Sequence, residues 1–245
     1  MGGGMPSIAL SKPVWQCSTA ECVIAFGHMS VMQRQLTPEM LDTLPPDDPA
    51  AQRSRRDLRV FNAVLGGTRW LRRTLPQRVR PGERVLEIGA GTGELGASLA
   101  RVGVAVDGLD RAPRPVAWPV AARWHQADAL AFSGWGDYEV VVGNLIFHHF
   151  DADALRLLGQ RMAAHARLIV ACEPVRKRIY QRLFSALCAV VQANHVSRHD
   201  GRVSIEAGFL GDELPMLLGL DPVVWRWQVS TTFCGTYLLV AQRRE

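Results

Sequence analysis

Residues 85–93 read VLEIGAGTG: an apolar strand that runs into glycines at 89, 91 and 93, with a helix expected from Glu94 onward. Glycines let the backbone turn tightly and approach a ligand without a Cβ clash, and they deliver that ligand to a helix N-terminus. A nucleoside-type cofactor is the direct inference. Asp110 lies 21 residues beyond Gly89, at the end of the next expected strand, where one carboxylate can accept two hydrogen bonds from a ribose diol. Asp128, after the third strand, stands where an adenine amino group could be recognised. Glu87 lies inside the first strand, and a carboxylate buried there needs a donor close by. A cationic amino group of a ligand would supply one.

Outward from this turn the pattern alternates strand and helix, which predicts an α/β fold with a parallel sheet covered on both faces. Strands are expected at 84–88, 105–109, 122–126, 139–143 and 168–172. Helices are expected between them, notably 94–102 and 151–165, the latter capped by Asp151 or Asp153. A largely helical insertion begins at 175, and the insertion as a whole spans 175–220. The ending differs: strands at 223–229 and 233–242 share only a short polar link, which permits nothing but an antiparallel hairpin. Upstream, Pro45, Pro46 and Pro49 with Asp47 and Asp48 mark a boundary. Residues 50–75 then read as helix broken at Gly66-Gly67, with Leu58, Phe61, Val64 and Leu65 on one face. The expected organisation is a leading stretch 1–31 that is disordered or upstream sequence, with Met32 as the natural start, a helical lid at 32–80, and the main domain at 81–245.

Composition narrows the classes. The 245 residues are 48% hydrophobic with net charge +5, an ordinary globular balance that excludes collagen, coiled coil and wholesale disorder. The longest apolar run, 183–191, falls well short of the roughly 20 residues of a membrane-spanning helix. Five cysteines without a C-x-x-C pair or a spacing partner in histidine suggest neither a disulfide framework nor a zinc site. No metal is expected, and with no signal-peptide pattern at the start a cytoplasmic location is. The cations are 26 Arg against Lys12 and Lys177. Ten of those arginines fall between Arg53 and Arg84 against Asp57 and Glu83, a net +8. This is either a solvated helix face or a cationic cover over an anionic ligand.

The EIGAGTG turn with its apolar strand, Asp110, Asp128 and the terminal hairpin together resemble the class I, seven-stranded S-adenosylmethionine-dependent methyltransferases. The resemblance covers about 81–174 and the hairpin. It implies the strand order three, two, one, four, five, seven, six with an antiparallel last strand. It also implies that Glu87 and the loop of Gly89, Ala90, Gly91 and Gly93 hold the methionine half of the cofactor, Asp110 with the adjacent Arg111 the ribose, and Asp128 with Ala129 the adenine. Residues 91–96 also satisfy G-x-G-x-x-G, which would serve NAD. Against a dehydrogenase stand Glu87, Asp128 and the antiparallel ending.

After the fourth strand comes GNLIFHHF, 143–150. Asn144 belongs to the cofactor set, since ligands gather outside the carboxyl ends of such strands. Ile146 stands where amino-group methyltransferases of nucleic acid carry proline, which argues against an RNA or DNA substrate. The His148-His149 pair followed by an acid-started helix resembles small-molecule methyltransferases, including those tailoring quinones and polyketides. Either histidine could be a general base, and so could His199, oriented by Asp200; each could equally be a structural histidine. Trp70, Phe147, Tyr180, Phe184 and Phe209 are the candidates for an apolar acceptor pocket. The expected activity is methyl transfer from S-adenosylmethionine to a phenolic or enolic oxygen, or an activated carbon, of a polyketide or quinone-like acceptor. The expected protein is a monomer or homodimer without membrane insertion. A nucleic-acid methyltransferase, a binding protein without catalysis and an NAD-dependent oxidoreductase are the alternatives.

Overall fold

The computed structural model describes residues 32–45 and 47–245; the expectations for 1–31 lie outside the described residues. Seven strands form one sheet: β1 Val85–Ile88, β2 Val106–Asp110, β3 Trp124–Gln126, β4 Val140–Asn144, β5 Leu168–Pro174, β6 Trp225–Thr231 and β7 Thr236–Arg243. Their order is β3-β2-β1-β4-β5-β7-β6. The first five are parallel, and β7 runs antiparallel to both β5 and β6. The expected fold class and strand order are both observed.

The helices are α1 Pro49–Leu65, α2 Gly67–Thr74, α3 Glu94–Ala100, α4 Ala152–His165, α5 Arg178–Val190, α6 His195–Ala207 and α7 Glu213–Leu217. Their ends follow from local chemistry. The Asp48 carboxylate caps α1 by accepting from the Ala50 and Ala51 amides, with Pro49 in the first turn. Gly66, at φ +77°, ends α1 and lets α2 start in a new direction. Asp151 caps α4 through the Ala154 amide. Leu71 and Leu75 join Leu95 and Leu99 of α3 on one face of the sheet, over Val85, Val106, Val140, Val142 and Val170. Leu155, Leu158 and Met162 of α4 cover the other face with Leu214 of α7.

One stretch departs from the expected alternation. No helix joins β2 to β3: Pro113, Pro115 and Pro119 keep the connection in turns. The buried indole of Trp118 fills the place of a helix, packed against Ala90, Ala122 and Trp124. Within the expected insertion, the polar stretch from Asn194 forms α6, capped by the Asn194 side chain on the Ser197 amide. Asp200 and Ser204 of α6 find partners in the Met40 and Leu41 amides and in Glu39, and Ser197 finds them in Ser54 and Asp57 of α1.

Gly159 sits where α4 meets the end of α7, and a Cβ there would lie 1.8 Å from the Leu218 carbonyl oxygen. Backbone cannot give way as a side chain can, so Gly159→Ala is expected to destabilise the fold by about 2 kcal/mol. A urea unfolding midpoint equal to wild type would show that the two elements part freely.

Candidate active site

The carboxyl ends of β1 and β2 build the first half of the site. After Ile88 the chain turns through Gly89, Gly91 and Gly93, at φ +67°, +49° and +78°. The Gly89 amide donates to the Leu109 carbonyl at 2.8 Å, tying the turn to β2. Asp110 ends β2; its Oδ2 accepts from the Gly91 amide at 2.7 Å and its Oδ1 from the Ala112 amide at 2.8 Å. Each oxygen keeps a lone pair for a further donor. Asp128 accepts from the Leu130 amide at 2.8 Å, and the exposed Arg111 guanidinium lies 3.7 Å from its other oxygen. Ala90 and Ala129 are buried beside these loops.

Glu87 is the anomaly of this half. It is 3% exposed, and its Oε2 has no hydrogen-bond partner. Burial, and then the nearby Asp110 charge, push its carboxyl well above the usual carboxylate range, against the opposing effect of the Gly96 amide. A buried carboxyl oxygen left alone costs about 1–3 kcal/mol, so it marks a place for a donor from outside the chain. Trp118 walls the same spot: a Cβ on Gly96 would lie 2.5 Å from its ring and 3.4 Å from Glu87 Oε2. Nothing in the sequence pattern pointed to Trp118.

The second half lies at the ends of β4 and β5. Asn144 closes β4, with its Oδ1 3.5 Å from where a Cβ on Gly67, at the start of α2, would lie. Leu145 follows at φ +58°, an unusual conformation for a leucine. It is held there by its amide on the Cys172 carbonyl at 2.8 Å. The chain then makes a 3-10 turn, Phe147–His149. Ile146 lies directly against the glycine turn, since a Cβ on Gly89 would come within 2.5 Å of it. The two halves therefore form one crevice.

Glu173 organises the turn. It is fully buried in β5; its Oε1 accepts from the Ile146 and Phe147 amides at 2.9 and 2.8 Å. Its Oε2 lies 2.6 Å from His148 Nδ1. On the other side of the ring, His148 Nε2 is 3.5 Å from Oε1 of Glu39 in the N-terminal segment. His149 Nε2 is 3.9 Å from the same oxygen, and its Nδ1 3.9 Å from Asp42. Glu173, Glu39 and Asp42 escaped the sequence reading. A carboxylate within the apolar strand around Glu173 is the signal that singled out Glu87, and it would have found Glu173 too.

Burial alone would lower the His148 pKa, but the Glu173 and Glu39 carboxylates outweigh it and raise the value from 6.5 to about 9. His149, exposed at the surface but partly desolvated by its neighbours and beside a charged His148, is held below its ordinary value. A histidine whose folded pKa is raised stabilises the fold fully below its unfolded value and ceases to do so as pH climbs through the folded one. Metal-free protein is therefore expected to lose stability from about pH 6.5 to 9, and His148→Gln to lack that component of the decline. Parallel wild-type and variant curves in urea titrations across this range would refute the ionic state assigned to His148.

The N-terminal segment is stitched onto this turn. Arg34 donates to the carbonyls of Phe150 and Ala207 at 2.8 Å each and of His148 at 3.3 Å. Asp200 on α6 accepts from the Met40 and Leu41 amides at 2.7 and 3.0 Å, and Ser204 bonds the Glu39 carboxylate. His199 does pair with Asp200, Nδ1 to Oδ1 at 3.0 Å, but it stands outside the cluster of Glu39, His148 and His149. The five aromatic candidates do not line one pocket. Phe147 and Phe209 are fully buried core with Tyr180 packed beside them, Trp70 packs on the opposite face, and Phe184 packs on Phe61. Side chains this large are drawn into three separate cores.

A glycine turn with an acid at the end of β2, a lone buried glutamate beside it, and the 3-2-1-4-5-7-6 sheet define a class I S-adenosylmethionine-dependent methyltransferase. A family model described as a methyltransferase domain matches residues 54–201, and the chain belongs to that family. No curated protein matches the sequence significantly. Among solved structures, the plantazolicin methyltransferase BpumL in complex with S-adenosylhomocysteine matches with a TM-score of 0.60 at 14% identity, over 81% of this chain and 92% of that one. The pyocyanin biosynthetic protein PhzM gives 0.56 at 17%, over 81% and 60%. Human N-acetylserotonin methyltransferase in complex with S-adenosylmethionine gives 0.55 at 13%, over 83% and 61%. At these identities the likeness is one of fold. Among the described residues, no helix is long and apolar enough to cross a membrane.

Proposed function

We infer that this chain methylates a small organic acceptor, a phenolic or enolic oxygen or an activated carbon of a polyketide or quinone-like compound. The observation that carries the reading is the roof over the β4 and β5 ends. Arg34, Glu39 and the Met40–Asp42 turn are hydrogen-bonded down onto α6 and the histidine turn, leaving His148 only 3% exposed. A site closed in this way admits a small planar molecule more readily than a polynucleotide.

The cofactor supplies a methyl group on a sulfonium, which needs alignment rather than covalent help. In this reading Glu87 accepts from its ammonium, the Gly89–Gly93 turn passes its backbone alongside, Asp110 accepts from the ribose, and Asp128 with Ala129 borders the adenine. On the acceptor side His149, neutral near pH 7, can take a proton from an acceptor hydroxyl. His148, already protonated between two carboxylates, cannot; its positive edge can steady a developing oxyanion. The solved structures add support, since BpumL is in complex with S-adenosylhomocysteine and human N-acetylserotonin methyltransferase with S-adenosylmethionine.

A nucleic-acid substrate is less well supported. The basic stretch is not one patch: Arg53 and Arg59 lie on α1, where they bond Gln192 and Glu94, while Arg80 and Arg84 lie before β1, paired with Glu245 and with Asp107 and Asp137. Residues that precede β1 sit at the opposite end of the strands from the site.

Calorimetric titration with S-adenosylmethionine, S-adenosylhomocysteine and NAD tests the reading, followed by a screen of phenolic polyketides for methyl incorporation. Micromolar binding of the first two and turnover of at least one phenol is the expected result. Binding of NAD alone, or tight salt-sensitive binding of RNA or DNA with no phenol methylated, would overturn it.

A further inference from the structure

On the acceptor side three side chains converge more closely than methyl transfer itself requires. Glu39 offers a carboxylate oxygen and His148 and His149 one ring nitrogen each, and these three atoms lie within 4.8 Å of one another. Both His–Glu separations, 3.5 and 3.9 Å, involve the same oxygen, Glu39 Oε1. A four-coordinate ion with ligands at about 2.0–2.2 Å holds those ligands roughly 3.4 Å apart. The two His–Glu separations are close to that spacing, and all three atoms lie within 4.8 Å.

An independent feature points the same way. Each imidazole has a carboxylate at its far nitrogen: Glu173 lies 2.6 Å from His148 Nδ1, and Asp42 lies 3.9 Å from His149 Nδ1. A hydrogen-bonded carboxylate in that position fixes the tautomer and aims the other nitrogen at an ion; Glu173 does so for His148, while Asp42 is only a nearby charge for His149. Here they leave Nε2 of both rings directed at Glu39. The rings themselves lie 4.3 Å apart on the 3-10 turn, and Ser204 of α6 donates to the same Glu39 oxygen, Oε1, which keeps a second lone pair for an ion. Two imidazoles and one carboxylate suit a borderline transition cation, whereas Mg²⁺ and Ca²⁺ prefer all-oxygen sets.

We propose that Glu39, His148 and His149 bind one divalent first-row transition cation, of the Zn²⁺ or Co²⁺ kind, with a coordination position left open toward the acceptor. The ion displaces the Nε2 proton of His148, and the acid and base roles of the two rings belong to the ion-free protein. The proposal rests on this end of the sheet being the acceptor side. The site joins the N-terminal segment to the β4–α4 connection, so the ion would also pin the roof in place.

The test uses the full chain, stripped with EDTA and titrated with Co²⁺ under visible spectroscopy, with Zn²⁺ as competitor. The expected result is a saturable d–d band at one equivalent that Zn²⁺ displaces. Glu39→Ala and His149→Ala should lose the band while binding S-adenosylhomocysteine as tightly as wild type. If either alanine variant also lost cofactor binding, the better-conserved shape of His149→Gln would decide in its place. A wild type without a saturable band, or a band unchanged in the variants, overturns the proposal. Cofactor affinity is read in the same samples, so failure of the methyltransferase reading would register there and not in the Co²⁺ band.

Discussion

Glu173→Ala is expected to lower the unfolding free energy by about 3–5 kcal/mol, the cost of breaking a buried ion pair from one side. The carboxylate is fully buried and holds two backbone amides and the His148 ring at 2.6–2.9 Å. Without it those donors stay buried and unpaired, and His148 loses the stronger of its two counter-charges. Leu145, held at positive φ just before the turn, would be free to relax, carrying Ile146 off the glycine turn. Glu173→Gln keeps an acceptor for the two amides but sets neutral NH₂ donors against an imidazolium, so an intermediate loss is expected. Urea unfolding followed by circular dichroism checks both. A cost below about 1 kcal/mol for the alanine variant, the level of an ordinary substitution, would mean that Glu173 does not organise the turn.

Asp110→Ala has the largest expected effect on cofactor binding, about 1.5–3 kcal/mol or roughly tenfold to 150-fold in affinity. Two contributions combine. The ribose loses a charged acceptor, and the glycine turn loses the side chain that anchors the Gly91 amide at 2.7 Å. Asp110→Asn separates them, because the amide oxygen can still accept from Gly91 while the charge is gone. Calorimetry with S-adenosylhomocysteine should rank wild type above Asp110→Asn above Asp110→Ala. Equal affinity across the three would remove Asp110 from the ribose site.

Much of the first half of the site was legible in the residues because it is built from contiguous geometry. The glycine turn and the acids closing β2 and following β3 are placed by short segments that obey strand and turn rules, so spacing alone puts them at one edge. Glu87 was legible for a related reason: a carboxylate in an apolar strand conflicts with its surroundings, and the conflict survives as an orphan oxygen in the fold. The second half was only partly legible. His148 and His149 stood out as residue types, but the partners that set their charge come from Glu39, 109 positions earlier than His148, and from Glu173. Within the expected insertion at 175–220, the helix at 195–207 was not singled out, because polarity there was judged without partners. Asp200 and Ser204 lie on α6 satisfied by the Met40 and Leu41 amides and by Glu39, contacts that no periodicity encodes.

The amino-acid sequence by itself determined the parallel strands, the closing hairpin and the cofactor turn, since apolar runs, glycines and caps act over a few residues; the strand order followed from the family resemblance those motifs carry. Only the tertiary structure decided the protonation of His148, the buried role of Glu173 and the meeting of Glu39 with the two histidines. Those depend on charges brought within 4 Å across long separations, where desolvation and Coulomb interaction grow steeply and small differences in docking set which state wins.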